Sequence, residues 1–128
     1  MNLFFICVFA ISVSSNLTFS QEYKQQMDIT KKIIGHFEAN EIEEIYDYFN
    51  DTMKAAITKD KLTEIWNLLP LQCGAYLGHG ESIASEVQGM IVVNQLLDFE
   101  TIDLDIRLAF DEDNQISGFF FVPPVKKK

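Results

Sequence analysis

Apolar positions change their spacing once along the chain, from helical in the first half to alternating in the second. Met27, Ile33, Ile34 and Phe37 fall on one stripe of a helix that starts near Gln21 or Glu22. The run "EANE" interrupts it, and Asn40 is placed to cap a second helix, with Glu43 three residues on in a capping-box arrangement. In that helix Ile42, Ile45, Tyr46 and Phe49 recur at i, i+3, i+4 and i+7, the period of a buried face, and Asn50-Asp51 ends it. Thr58 then suits an N-cap, and Asp60 the positive end of a helix dipole. Leu62, Ile65, Trp66 and Leu69 form the core face of this third helix, which Pro70 is expected to stop.

From Cys73 onward the pattern is that of strands. A shorter strand carries Tyr76, with Gly78 and Gly80 in a bend, and Gln88 to Phe99 reads as a long buried strand. "TIDLDIRLAF" alternates strictly: Ile102, Leu104, Ile106, Leu108 and Phe110 point one way, and Thr101, Asp103, Asp105, Arg107 and Ala109 the other. "DEDNQ" is a turn of residues that bond their own backbone. Ile116 to Val122 is the closing strand, ended by Pro123-Pro124, which have no N–H to pair. A period of two sets Phe120 with Ile116 and Val122, and Phe119 with Phe121 on the opposite face. Apolar residues on both faces predict a strand interior to the sheet and covered on both sides. Helices cover only one face, so Phe119 and Phe121 become interface candidates, covered by the sheet's own curl, a second subunit or another partner. Helices segregated from strands imply an α+β fold, N-terminal helices packed on a curved antiparallel sheet, rather than alternating βαβ units.

The first twenty residues, "MNLFFICVFAISVSSNLTFS", contain no Asp, Glu, Lys or Arg. Their apolar run, Leu3 to Val13, is shorter than the roughly 20 residues a membrane span needs. Small residues before Gln21 fit a signal peptide over residues 1–20, cleaved near Ser20, although the n-region carries no Lys or Arg. The expectation is an exported, periplasmic or secreted protein with one domain over residues 21–125 and a basic tail at 126–128. Removing the signal leaves Cys73 as the single thiol, so no disulfide framework is available, and Cys73 reads as a small buried hydrophobe. The formal net charge of −9 repels nucleic acid and anionic lipid, whose phosphates require Lys and Arg.

Candidate chemistry is sparse. Asp103 and Asp105 share a strand face with Arg107, and a desolvated member of the pair could serve as a general base. The plainer reading is a solvated face with a local ion pair to Arg107. His36 and His79 have no neighbours at metal-ligand spacing, so no metal and no cofactor is expected. "GAYLGHGES" lacks the strand–helix context of a phosphate loop, and Ser82 and Ser85 lack a nucleophile elbow. Asn50-Asp51-Thr52 is a glycosylation sequon. Tyr46, Trp66, Tyr76 and His79 are the candidates for lining a cavity between helices and sheet, against the simpler reading of an aromatic core.

The segments "EEIYDYFNDTMKAAITKDKLTEIWNLL", "CGAYL" and "DEDNQISGFFFVPP", in that order and over Met27 to Pro124, carry a family resemblance. The chain resembles a family of short, mostly bacterial domains of unknown function with the cone-shaped fold of nuclear transport factor 2 and ketosteroid isomerase. That resemblance implies the cone, export, and an occasional position before an α/β-hydrolase domain of dienelactone-hydrolase type. The expectation for this chain is no hydrolase machinery, and the resemblance supplies no catalytic residue. The expectation is a non-catalytic binding or accessory domain with an unknown small-molecule or protein partner, with a homodimer through the sheet as a further reading. The alternative is a small cofactor-free isomerase or dehydratase with a carboxylate base in the cone.

Overall fold

In the computed structural model residues 23–124 are described. The signal-peptide reading and the basic tail lie outside them. Four helices come first: α1 (23–38), α2 (Ile42–Tyr46), α3 (Asp51–Ala56) and α4 (Lys59–Cys73). Four strands follow: β1 (Tyr76–Val87), β2 (Met90–Phe99), β3 (Leu104–Phe110) and β4 (Ile116–Val122). They form one antiparallel meander in the order β1-β2-β3-β4. This α+β arrangement, helices against one face of a curved sheet, is the expected one and is consistent with the cone. No helix among the described residues is long and apolar enough to cross a membrane.

The helical boundaries differ from expectation for local reasons. Asn40 does not open α2; it closes α1 with φ 60°. The N–H of Asn40 bonds Phe37 O and that of Glu41 bonds His36 O, the paired bonds of a Schellman motif. An αL-tolerant Asn serves there as readily as at an N-cap. α2 ends at Tyr46, and Phe49 leaves the helix to bridge Ile116. Asn50 begins α3 instead of ending α2, its side-chain oxygen accepting Met53 N–H at 2.9 Å. Thr58 caps α4 as expected, accepting Lys61 N–H at 3.1 Å. Pro70 does not stop α4: it forfeits its own N–H, but its carbonyl still receives the Gly74 N–H at 3.0 Å. Gly74 ends the helix with φ 91°, and a Cβ there would lie 2.8 Å from Glu100 Cβ.

The strands also depart from simple alternation. β1 is the longest strand rather than a short one, and Gln88-Gly89, expected within β2, forms a two-residue hairpin turn with φ of 52° and 84°. Asp111 to Gln115 is the turn foreseen: Asp111 Oδ1 accepts N–H groups of Asp113 and Gln115, and Asn114 takes φ 61°. β4 is an edge strand, not an interior one. Its pairing steps from Ala109↔Gly118 to Phe110↔Ile116, so Ser117 is an extra residue that reverses the alternation. Ile116 therefore shares the helix-facing side with Phe119 and Phe121, while Phe120 points to the outer face and is 55% exposed.

The core lies between the helical layer and that inner face. Ile33, Ile34, Phe37, Ile45, Phe49 and Leu62 meet Val93, Leu97, Ile106, Leu108, Phe110 and Ile116. Gln95 is buried on the same face because it answers a backbone need: its Nε2 donates 2.7 Å to Gly80 O, beside the register shift between His79 and Ser82. Cys73 is free and buried, as expected of a small hydrophobe.

Two stability predictions follow from these boundaries. Gly74→Ala should cost more than the ~1 kcal/mol gained elsewhere by such changes, because φ and the Glu100 contact both oppose a Cβ; a urea midpoint equal to the parent's would refute it. Burial pushes the Asp111 carboxyl up, but bonds from Asn50 Nδ2 and the Gln115 and Asp113 N–H groups outweigh it and hold it below the usual value. A carboxyl depressed on folding stabilises above its unfolded value of about 3.9 and loses that contribution as pH falls through the folded value. The stability gap between the parent and Asp111→Asn should therefore be full at pH 7 and shrink below about pH 4; a pH-independent gap in urea titrations would contradict this.

Candidate functional site

A cavity of about 380 Å³ opens where the C-terminal ends of α1 and α4 meet the start of β1. Glu38, Trp66, Pro70, Tyr76, Leu77, Gly78 and Phe99 line it. Its walls are built by a continuous run of rings: Phe37 stacks on Trp66 at 4.6 Å, Trp66 meets Tyr76 edge-on at 5.4 Å, and Tyr76 meets Phe99 at 5.4 Å. Such contacts hold the rings in fixed orientations as well as burying them.

The polar side of the cavity comes from an irregularity in β1. Tyr76 pairs with Phe99 and Gly78 with Asp98, which makes Leu77 an extra residue. In a regular strand Tyr76 and His79, three positions apart, would face opposite sides. The bulge puts both on the inner face and leaves Leu77 66% exposed at the rim. Both side chains then reach Glu38, at the end of α1. Tyr76 Oη donates to Glu38 Oε2 at 2.7 Å, and His79 Nδ1 lies 3.1 Å from the same oxygen. A carboxylate only accepts, so Nδ1 carries the hydrogen of that bond. Burial, reinforced by the bond to Glu38 and its charge, pushes the Tyr76 phenol well above its usual value, so it is a neutral donor at physiological pH.

Of the four residues expected to line a cavity, Trp66 and Tyr76 do, and His79 is joined to it through Glu38. Tyr46 is elsewhere: its hydroxyl donates to Lys54 O at 2.7 Å, and Lys54 and Lys59 Nζ lie within 5.8 Å and 5.5 Å of its ring. Asp103 precedes β3 and accepts Phe99 N–H at 3.1 Å. Asp105 is not on a solvated face; it is 4% exposed, on the outer side of the sheet, accepting from Asn94 Nδ2 at 3.4 Å. Neither borders the cavity. Phe119 and Phe121 face the helices: Phe119 lies 6.0 Å from Phe37 and 5.8 Å from Phe49, so their cover comes from within the chain. The sequon amide is engaged as well, Asn50 Nδ2 donating to Asp111 at 3.0 Å. Glu38 is the residue that sequence reasoning missed; as one of two acids in "EANE" it carries no local signal, and its partners are 38 and 41 positions away.

A second cavity, of about 360 Å³, lies at the opposite end of β2 among Gln26, Glu86, Asp111, Glu112 and Asn114, and has no aromatic wall beyond Phe110. No group of three or more potential metal ligands occurs among the described residues.

Comparison with curated proteins and with solved structures returned no match. Comparison with protein families matched residues 30–119 to the family described as "Protein of unknown function (DUF3887)". That stretch takes in α2 to β3, most of α1 and half of β4, and with them every residue that lines the aromatic cavity. With well over half of its length matched, the chain belongs to this family of proteins of unknown function.

Proposed function

We propose that the chain is an exported, non-catalytic domain that binds a small ligand in the aromatic cavity between α1, α4 and β1. The observation that carries this reading is a preformed cavity walled by Trp66, Tyr76 and Phe99, with Glu38 the one charged group lining it among the described residues. Ligand sites combine mostly apolar walls with a few fixed polar groups, and this cavity has that composition. The exposed Leu77 at its rim adds apolar surface that an incoming ligand would remove from water.

An acid–base reading has less support. General acid–base chemistry needs a base and a donor on either side of the reacting atoms. Here the Tyr76 hydroxyl is donated to Glu38 itself, so the donor is spent on the carboxylate. Asp103 and Asp105, the carboxylates suggested as bases, are spent on a backbone N–H and on the outer face.

Export rests on the uncharged apolar stretch over residues 1–20. Expressed with its own N-terminus in a secreting bacterial host, the protein should be recovered outside the cytoplasm, with a mass corresponding to a start at Gln21. A cytoplasmic product of full mass would reject this part of the reading.

Trp66 is the chain's single tryptophan, so its emission reports on the cavity alone. Titration with neutral aromatic fragments should change that emission saturably and shift the amide resonances of Tyr76, Leu77 and Gly78. Leu77→Asp, at an exposed rim position, should weaken binding roughly fivefold, the equivalent of about 1 kcal/mol of lost apolar burial. Unsaturable emission changes with shifts scattered over the surface would sink the binding reading.

A further inference from the structure

We propose that the ligand of this cavity carries an organic ammonium group, bound at Glu38 among the rings of Trp66, Tyr76 and Phe99. The inference rests on the binding reading above and specifies its ligand class. Tyr76 and His79 both bond the same oxygen of Glu38, Oε2. The other oxygen, Oε1, takes no hydrogen bond from any described residue, on a carboxylate that borders the cavity. The two bonds at Oε2 fix the carboxylate in place, so Oε1 is a prepositioned acceptor that loses little freedom on binding.

The rest of the lining selects what that acceptor can take. An anion is opposed by Glu38 directly and by the net charge of −9. A metal ion needs several convergent oxygen, nitrogen or sulfur ligands, and among the described residues the cavity offers one carboxylate, set among rings and aliphatic groups. A neutral apolar ligand leaves Oε1 to water and gains nothing from it. An alkylammonium answers both features: its N–H donates to the carboxylate in a charge-assisted bond, and the cation is attracted by aromatic rings. The apolar remainder of such a ligand would meet Leu77 and Pro70.

The test compares 2-phenylethylammonium with its neutral isostere 2-phenylethanol, followed by Trp66 emission at pH 7. The ammonium should bind the native protein roughly tenfold more tightly or better, from the added charge-assisted bond and cation–π attraction. Glu38→Gln should bring the two affinities to within about twofold. Equal affinities in the native protein would overturn the ammonium inference and leave the binding reading standing. Preference for the ammonium that survives Glu38→Gln would overturn it too, by removing Glu38 from the site. No saturable binding of either probe would overturn both, and the native comparison decides between these outcomes even if the variant does not fold.

Discussion

Two backbone hydrogen bonds at Ile116 join the helical half of the chain to the sheet. As the first residue of an edge strand, Ile116 turns its N–H and C=O away from β3, where they would otherwise be left for water or for another chain. Tyr48 O accepts the N–H at 2.8 Å, and Asn50 N–H donates to the C=O at 3.0 Å. The segment between α2 and α3 therefore acts as a one-residue parallel neighbour of β4, with Phe49 opposite Ile116 and fully buried. Much follows from that seam. Asn50 is held where one end of its side chain caps α3 and the other reaches Asp111, and Asp111 in turn organises the β3–β4 turn. Loss of the seam would expose an apolar strand edge and empty the centre of the core together.

α1 spans the sheet from this turn to the cavity. Near its start Gln26 Nε2 donates to Asn114 Oδ1, in the turn that Asp111 orders. At its end Glu38 receives Tyr76 and His79 from the first strand. Twelve residues of helix, roughly 18 Å, thus run between polar contacts to both ends of the meander. Between them Ile33, Ile34 and Phe37 supply the apolar face that packs on the inner strands. The position of Glu38 is consequently set by the whole layer rather than by its own loop, which suits a residue meant to hold a fixed geometry.

The order of elements and most core positions could be read from spacing alone, because burial imposes its period directly on the sequence. The strict alternation around Ile106 and Leu108, the Thr58 cap and the Asp111 turn all show this. Failures arise where one residue type suits two local roles or where alternation slips. Asn40 fits an N-cap and an αL helix end equally well, and only the bonds to Phe37 and His36 decide between them. Pro70 reads as a stop, yet a helix with an exposed side can carry it at the loss of one bond. Ser117 is the extra residue that reverses the faces of Phe119, Phe120 and Phe121, and nothing in "QISGFFFV" announces which residue will be unpaired. The candidate site was half legible for the same reason. Trp66 and Tyr76 stand out as aromatics in apolar patterns, whereas Glu38 is defined only by partners from distant sequence.

The bulge at Leu77 ties the irregularities to the site. A strand without it would send His79 to the outer face, and Glu38 would lose one of the two donors that fix its carboxylate. Such a bulge breaks ladder pairing and leaves a leucine in water, costs that a sequence selected only for stability would avoid. The neighbouring features have the same character: α4 carries an interior proline at the cavity wall, and Gly74 adopts a left-handed turn just beyond it. Three departures from regular structure, the Leu77 bulge, Pro70 and Gly74, thus lie at or beside the aromatic cavity, whereas the Ser117 bulge lies at the far edge of the sheet. Such departures cost stability, so their gathering beside one cavity supports the binding reading proposed for it.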